Sequence, residues 1–546
     1  MRPFQKSYLR GFLIAGTVLF GIAFLINLYA KRYIDAKLNS AIVNNDSIAY
    51  RIGFEDLSVN VWTGYAGVEN FYIIAKEKYE RPPLNTININ AAALRFSGIG
   101  VLKILLTQDV DIGKVHIEHP IITVSNVDTT TKNESDELPL NLYLLVKENF
   151  SSLRIGTLII KNGSITLFGR DSANLFISLP KVNLQLTDIR ADSSLTTTKR
   201  FMDFGGVTLS INNLNGHFFN GLYQINVPSF RFENRNSSLQ IDSILLKPTI
   251  DKKIFAKKIG LQTDCLSLQL TNLMIKFSDV QDLILNQKIS IDKIDVGSLQ
   301  LHDYWDKNFP RRRTRQALHH TALVSLPYAI DIREVEMKSA DIIYEELGEG
   351  SVETGSISFN RVSGLIKNIS NINMSDTMKI HCSGYMLGET LIRADILLPL
   401  SEDRFITSMH MESFDMRKLN GMIKNLAPVK IKSGVITSIN MYCEANDHSG
   451  SGSMTFKYSG LEVAILSDDK VIDRLIMSRI KNFIANKIVL EQDNPKKGVL
   501  RIGKIDYKRD QERNIINYSW NLAFSGIKSS IGLSEKQKEL FQTDKK

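Results

Sequence analysis

Apolar and polar residues alternate one for one through much of this sequence, and that period decides the fold class. Ile516, Tyr518, Trp520, Leu522 and Phe524 alternate with Asn517, Ser519, Asn521 and Ala523. Val207, Leu209 and Ile211 keep the same rhythm, as do Tyr223, Ile225 and Val227, then Leu266, Leu268 and Leu270, then Met454, Phe456 and Tyr458. Successive side chains on a strand point to opposite faces, so each run has one apolar and one polar face. That is the pattern of a half-buried antiparallel sheet. Asn162-Gly163, Asn215-Gly216, Asn220-Gly221 and Ser459-Gly460 read as turns between runs. Roughly 30 strands are expected on this spacing, about 140 Å of sheet at about 4.8 Å per strand.

A short template recurs inside this pattern. It is Ile, two residues, apolar, one residue, apolar, four residues, apolar, one residue, apolar. Ile112, Val115, Ile117, Ile122 and Val124 fill it in IGKVHIEHPIITV. Ile155, Leu158, Ile160, Ile165 and Leu167 fill it again 43 residues later. Ile291, Ile294, Val296 and Leu301 fill four places, with Asp303 in the fifth, and Ile332, Val335, Met337, Ile342 and Tyr344 follow 41 residues later. The apolar parity switches inside the copies, near Pro120, Gly163 and Ala340. A bulge that keeps the apolar residues on one side accounts for the switch. Repetition of such a unit points to a quasi-linear, repeating sheet.

Helical stretches are few: Gly98 to Thr107, Leu140 to Phe150, Met416 to Leu426 and Asp469 to Ala485. The last carries an apolar stripe of Val471, Ile472, Leu475, Ile476, Ile480 and Phe483. Residues 126–137 and 192–204 read as loops, and 304–325 as a longer loop or irregular helix. Gly11 to Ala30 is a run of twenty uncharged residues, long enough as a helix for the hydrocarbon core of a bilayer. Arg2, Lys6 and Arg10 precede it, Lys31 and Arg32 follow, and no small-x-small cleavage site ends it. An uncleaved single-pass anchor is expected there.

The residues that carry chemistry are scattered. His116, Glu118 and His119 are zinc-ligand types, but the histidines stand three apart in a β-branched run, matching neither HExxH nor HxxEH. On a strand, His116 and Glu118 share a face and His119 points away. Adjacent His319 and His320 form no ligand set. There is no GxSxG, no P-loop and no dinucleotide fingerprint, so no cofactor, metal site or catalytic constellation is expected. Glu345-Glu346 and Asp468-Asp469 read as solvated carboxylates. The net charge of +9 is dispersed, and the run at Arg311, Arg312, Arg313 and Arg315 reads as a solvated loop, so no nucleic-acid partner is expected. Cys265, Cys382 and Cys443 are too far apart and too few for a disulfide framework.

A sheet of this size has to cover its apolar face, and the helices are too few to do so. It can close on itself, form a sandwich, or curl into a trough filled by a ligand such as a lipid acyl chain. The candidate lining residues are Val115, Ile117, Ile122, Val124, Leu158, Ile160, Ile165, Leu167, Ile516, Tyr518, Trp520, Leu522 and Phe524.

Several stretches resemble the AsmA-like family of bacterial envelope proteins, themselves similar to bridge-like lipid transfer proteins. They are the anchor with GFEDLSVNVWTGYAGVENFYI after it, FSGIGVLKILLTQDVDIGKVHIEHPIITV, and LPLNLYLLVKENFSSLRIGTLIIKNGSITLF. Near the C-terminus, FDMRKLNGMIKNLAPVKIKSGVITSINM and GSGSMTFKYSGLEVAIL are similar too. Residues from about 190 to 400 are matched in strand pattern alone. The resemblance implies a mainly β fold: a transmembrane helix, then a long, curved, antiparallel amphipathic sheet forming a groove, with a few short covering helices. It implies a short cytoplasmic N-terminus at 1–10, the anchor at 11–30 in a bacterial inner membrane, and a periplasmic body. That body divides into an N-terminal AsmA-like region at 31–190, a central repeating region at 191–400 and a C-terminal AsmA-like region at 401–533, before a polar tail at 534–546. The implied role is non-enzymatic: phospholipid traffic and outer-membrane integrity, with phospholipid or another acyl-chain lipid as partner. The alternative is a scaffold that assists outer-membrane protein assembly through contacts with other envelope proteins.

Overall fold

The computed structural model describes residues 50–76, 86–127, 150–169, 175–195, 202–280, 288–426, 429–465 and 491–532, together with positions 27, 28, 31, 32, 143 and 147. The expected anchor therefore lies outside the described residues except for its positions 27 and 28. The expected helices at 140–150 and 469–485 and the tail lie outside them too, but for positions 143, 147 and 150. Among the described residues no helix is long and apolar enough to cross a membrane. The chain is mainly β, and it divides into two compact units at residues 239 and 240.

The first unit holds β1 (Tyr50–Gly53), β2 (Asp56–Asn60), β3 (Tyr65–Ala75), β4 (Thr86–Ile99), helix α1 (Val101–Thr107), β5 (Asp109–Glu118), β6 (Ile121–Val127), β7 (Ser152–Gly169), β8 (Leu175–Ala191), β9 (Gly206–Phe218) and β10 (Tyr223–Glu233). β1 and β2 both pair with β3, which pairs with β4. β5 and β6 are two halves of one strand, broken at His119-Pro120, and both lie between β4 and β7. β8, β9 and β10 follow as antiparallel neighbours.

The second unit begins two residues into β11 (Ser238–Pro248) and holds α2 (Lys252–Ile259), then β12 (Asp264–Asp279), β13 (Lys288–Asp306), α3 (His319–Val324), β14 (Ala329–Leu347), β15 (Thr354–Ser370), β16 (Thr377–Met386), β17 (Thr390–Pro399), β18 (Arg404–Met411), β19 (Phe414–Asp415), α4 (Asn420–Leu426), β20 (Val429–Asn446), β21 (Ser449–Ile465), β22 (Ile502–Lys508) and α5 (Ile515–Ser530). β12 to β18 pair each with the next, β20 pairs with both β18 and β19, and β21 and β22 complete the order. A turn of 3-10 helix at Met416–Leu419 leads into α4, so the helix expected from Met416 is present.

The sheet is mixed rather than purely antiparallel. β7 runs parallel to β5 and β6, and β14 runs parallel to β13. Parallel neighbours need a crossover of a dozen residues or more, and the chain supplies one between Val127 and Ser152 and another between Asp306 and Ala329. These parallel pairs are the repeated template. Ile112, Val115, Ile117, Ile122 and Val124 stand opposite Ile155, Leu158, Ile160, Ile165 and Leu167, position by position. Ile291, Ile294, Val296, Leu301 and Asp303 stand likewise opposite Ile332, Val335, Met337, Ile342 and Tyr344.

The parity switches coincide with irregular backbone. The β7–β8 register shifts on either side of Gly163, and the β14–β15 register shifts on either side of Ala340. His119, Asn162 and Asn213 adopt positive φ at the same level of the first unit (48°, 50° and 58°). Asparagine tolerates this left-handed conformation at low cost, which suits it to bulges as well as turns. Asn162-Gly163, Asn215-Gly216 and Ser459-Gly460 therefore lie within strands, and only Asn220-Gly221 of the four expected turns joins two strands. Strands run through these positions, some for 17 to 19 residues, so the described chain has 22 strands rather than some 30.

The packed core lies at the C-terminal end of the second unit. β20 alternates buried and exposed positions, with Ile436, Ile439, Met441, Cys443 and Ala445 inward. α5 lies over β20, β21 and β22. Tyr518 packs edge-on against Phe405 at 5.7 Å between ring centres, and Leu522, Met454 and Ile505 are fully buried. Gly526 permits the close approach, since a Cβ there would lie 3.0 Å from Ile505 and Met454 side-chain atoms.

Candidate lipid-facing sheet surface

Directly paired residues in a sheet lie on the same face, so the registers turn single strands into rows. One row crosses the whole first unit: Leu57, Val68, Leu94, Ile117, Ile160, Leu184, Leu209 and Phe232. A second row contains Ala66, Phe96, Val115, Leu158, Leu186 and Val207. Beyond the bulges a third contains Ile73, Ile89, Ile122, Ile165 and Leu179. A fourth runs Ile87, Val124, Leu167 and Ile177. Asn70, His119 and Asn162 take positive φ at this level of β3, the β5–β6 break and β7, and the parity switch there puts all four rows on one face. Eight strand positions at about 4.8 Å make this face about 34 Å across.

The eight expected lining residues of the first unit all lie in these rows. Val115 is buried, while Ile117, Ile122, Val124, Leu158, Ile160, Ile165 and Leu167 are half-buried. Their neighbours Leu94, Phe96, Leu184, Leu186, Leu209 and Phe232 are half-buried too. Sequence reading does not pick out Leu94, Phe96, Leu184 or Leu186, because their link to the template is the register of antiparallel pairing. The opposite face is more polar: Arg95 bonds to Glu118 and lies 3.5 Å from Glu69, and Lys161 and Gln185 are exposed, with Ile159 and Ala93 the apolar members among them.

The second unit repeats the arrangement. Ile275, Ile294, Val335, Ile366, Ile380 and Ile396 form a half-buried aliphatic row across six strands. Leu268, Leu301, Ile342, Phe359 and Met386 form another.

The remaining five expected lining residues are not strand residues. Ile516, Tyr518, Trp520, Leu522 and Phe524 belong to α5, capped by the Asn514 side chain, which accepts from the Asn517 N–H at 2.9 Å. Tyr518 and Leu522, four apart, point into the core and are 1% and 0% exposed. Ile516, Trp520 and Phe524, again four apart, point outward and are 76%, 60% and 43% exposed. Two helical stripes offset by two residues reproduce the alternation of a strand. The buried series Tyr518, Leu522, Gly526 and the capping asparagine are the signals that identify the helix.

Where the fifth template position would be apolar, the second unit holds Asp303, in a row with Leu266, Tyr344 and Ile357. Burial, and the neighbouring Asp264 carboxyl with which it shares a hydrogen bond, push the Asp303 carboxyl up to about 7. Its Oδ1 has no partner among the described residues. Nearby, Glu346 is 7% exposed, bonded by Tyr344 Oη at 2.7 Å and by Lys307. Glu345 is bonded by Lys252 and, at 2.8 Å, by His302 Nε2. The expected solvated Glu345-Glu346 pair is thus one buried and one half-buried carboxylate, both paired, because β14 is a central strand flanked on both sides.

The other polar candidates are structural. His116 Nδ1 lies 3.3 Å from Glu118 Oε1 on the polar face, and His119 occupies the strand break. His319 and His320 bond to the carbonyls of Pro399 and Leu400 at 2.9 and 2.8 Å. Among the described residues no group of three or more His, Cys, Asp or Glu side chains could hold a metal ion. The arginine run lies on a loop as expected, with Arg312, Arg313 and Arg315 exposed, and two of its members are paired: Arg311 with Asp510 at 2.9 Å and with Glu512, and Arg315 with Asp447 at 2.5 Å. They fasten the second crossover to the segment before α5. The three cysteines are free.

Comparison of the sequence with models of known protein families and with curated proteins finds no match in either.

Proposed function

We propose that this protein binds and transfers acyl-chain lipids, phospholipid first among them, along the apolar face of its sheet. The observation that carries the reading is the set of continuous apolar rows most of whose members stay half-buried, with Leu57, Val68 and Val115 buried and Ile87 exposed. A monomeric sheet rarely leaves a contiguous apolar surface of that extent without a ligand or partner. The rows are mostly aliphatic, with Phe96 and Phe232 among them, and sit opposite a more polar face, which suits flexible hydrocarbon chains. On this reading residues 11–30 anchor the chain in a bacterial inner membrane and the body lies in the periplasm, as the AsmA-like resemblance implies, with a role in outer-membrane integrity and no catalysis.

The test is lipid extraction and mass spectrometry on the purified full chain, with Ile160→Asp and Leu184→Asp in the longest row. A charge facing hydrocarbon is strongly unfavourable, so co-purifying phospholipid should fall about tenfold or more. Ile516→Asp, on the outward side of α5, should leave it unchanged. Protein that carries no phospholipid, or retains it in both row variants, refutes the proposal.

A second reading, a scaffold for outer-membrane protein assembly, is favoured by the outward stripe of Ile516, Trp520 and Phe524. The Trp520 and Phe524 rings stack at 6.5 Å, a rigid apolar surface of the kind used in protein contacts. It requires that Trp520→Ala release co-purifying envelope proteins while bound lipid is unaffected.

A further inference from the structure

The face of the second unit that carries His302 and Tyr304 holds a cavity of about 320 Å³, and its wall is built unlike the aliphatic rows. It is lined by Lys247 and Pro248 at the end of β11, Asp251 and Lys252 at the start of α2, Cys265 and Ser267 on β12, and His302 and Tyr304 on β13. At about 30 Å³ per water molecule it holds the equivalent of about ten waters. The pairings Cys265–Tyr304 and Ser267–His302 fix these four side chains as adjacent members of one face. Leu266, Leu268, Leu301 and Asp303 point the other way.

The carboxylates around the cavity are already engaged. Glu345 accepts from both Lys252 and His302. The Asp251 carboxylate caps α2, accepting from the Lys253 N–H at 2.8 Å. The donors are not used up. Lys252 has further N–H groups beyond the one given to Glu345, and Lys247 forms no ion pair among the described residues. The Ser267 hydroxyl lines the same wall. Tyr304 is 2% exposed, and its hydroxyl has no hydrogen-bond partner among the described residues. Buried polar groups are nearly always paired, so the acceptor for this hydroxyl comes from the cavity, as a ligand oxygen or a water. Burial and the surrounding carboxylates push the Tyr304 phenol up to about 12, so it remains an O–H donor at neutral pH. The cavity also sits at the start of α2, where the Asp251 carboxylate already caps the Lys253 N–H, so the donors left to a ligand are side chains. Lys257 and Lys258 in its last turn add positive charge to that element.

We propose that this cavity is an oxyanion site for a phosphoryl group, held by Lys247, Lys252, Ser267 and Tyr304. Two ammonium and two hydroxyl donors on four different elements suit an anion with several acceptor oxygens better than a two-oxygen carboxylate. The phosphoryl group belongs either to a lipid headgroup or to a free phosphate, and both present the same oxygens to the site. The proposal stands apart from the lipid reading of the aliphatic rows, because it uses other residues on the opposite face.

The experiment is ³¹P NMR titration of the purified full chain with inorganic phosphate, glycerol 3-phosphate and, as a lipid that dissolves without a bilayer, dihexanoyl phosphatidylglycerol. Wild-type protein should show saturable broadening with at least one of the three. Lys247→Ala and Tyr304→Phe should each weaken that binding about tenfold, a loss of one charged or one buried donor. Lys457→Ala, on the far strand β21, should not change it. Tyr304→Phe keeps the ring and removes only the hydroxyl, and an unchanged melting temperature confirms that its fold is intact. Binding of the two water-soluble phosphates alone assigns the site to free phosphate, and binding of the lipid with the same two dependences assigns it to a headgroup. No saturable binding of any probe, or binding that neither variant weakens, overturns the proposal. Failure here with Ile160→Asp still losing lipid would remove this site and leave the aliphatic rows standing.

Discussion

Replacing Asp303 with asparagine should stabilise the protein at pH 8 and remove a pH dependence. In the folded chain the Asp303 carboxyl holds its proton up to about 7, against 3.8 for an unpaired aspartate, because of burial and of Asp264 beside it. Asp264 is raised in the same direction by burial. Tyr344, Glu346 and Lys307 are the other ionisable groups close by. Raised folded-state values mean that the folded chain binds a proton the unfolded chain releases. The contribution to stability is therefore fully present below about pH 4 and is lost as pH rises through about 7. At about 1.4 kcal/mol for each tenfold difference in proton affinity, the full loss would be about 4 kcal/mol. Asp303 is half-buried, and solvent screens the effect, so about 1 to 2 kcal/mol is expected. In a unit of this size that is a shift of about 2 to 4 °C in Tm. Asparagine keeps the hydrogen bond by donating to Asp264 and carries no charge. The assay is differential scanning calorimetry of wild type and D303N from pH 4 to pH 8, read as the difference between the two, since other carboxylates titrate in both. The difference should be near zero at pH 4 and favour the variant by pH 8. A variant that melts lower at pH 8, or a difference that does not change with pH, refutes the reasoning.

Leu522→Ala should cost about 2 to 5 kcal/mol, because Leu522 is fully buried between α5 and the sheet and leaves a cavity. Calorimetry would show it, and a loss below about 1 kcal/mol would mean that α5 does not pack as described. The Cys443 and Cys265 thiols, pushed up to about 11 by burial, should resist iodoacetamide at pH 8 in the folded chain and react fully in guanidinium chloride. Mass spectrometry that finds Cys443 alkylated in the native protein as fast as free cysteine would contradict its burial.

The template was legible in the sequence for a geometric reason. Parallel in-register strands pair residue i with i plus a constant, so the apolar pattern of one strand is translated along the chain and appears as a repeat. The offsets of 43 and 41 residues are those constants, shown by Ile112 opposite Ile155 and Ile291 opposite Ile332. Antiparallel neighbours mirror the pattern instead, so Leu184 and Leu186 on β8 match Ile160 and Leu158 in reverse order and no repeat search finds them. Parity carried less. It located the bulges at Gly163 and Ala340, but it cannot separate a strand from a helix that is apolar on two stripes, and α5 is such a helix. Asn-Gly pairs misled for a related reason: the left-handed conformation that makes a hairpin turn also makes a bulge, and only the partner strand decides between them. The polar cluster at Lys252, His302 and Glu345 was illegible, because its members are brought together by the parallel pairing of β13 with β14 and by α2 packing over β12 and β13.

Among the described residues, the contrast between helix-covered and helix-free sheet bears most directly on function. Over β20 to β22 the chain lays α5, and Met454, Ile505 and Leu522 become fully inaccessible. Across β3 to β10 the rows are just as aliphatic, yet Leu94, Ile117, Ile160, Leu184, Leu209 and Phe232 stay half-buried. Each such side chain forgoes up to about 1.5 to 3 kcal/mol of possible burial. Were the face meant for water, polar residues at these positions would cost the fold little, and the alternation already places such residues on the other side of the same strands. Keeping leucine, isoleucine and phenylalanine in row after row is intelligible if something apolar completes the burial. The demand this makes is specific: threonine at Ile160, Leu184 and Leu209 together should leave folding of the first unit intact and abolish lipid retention. The same triple change should unfold the unit if the face is merely an imperfect core.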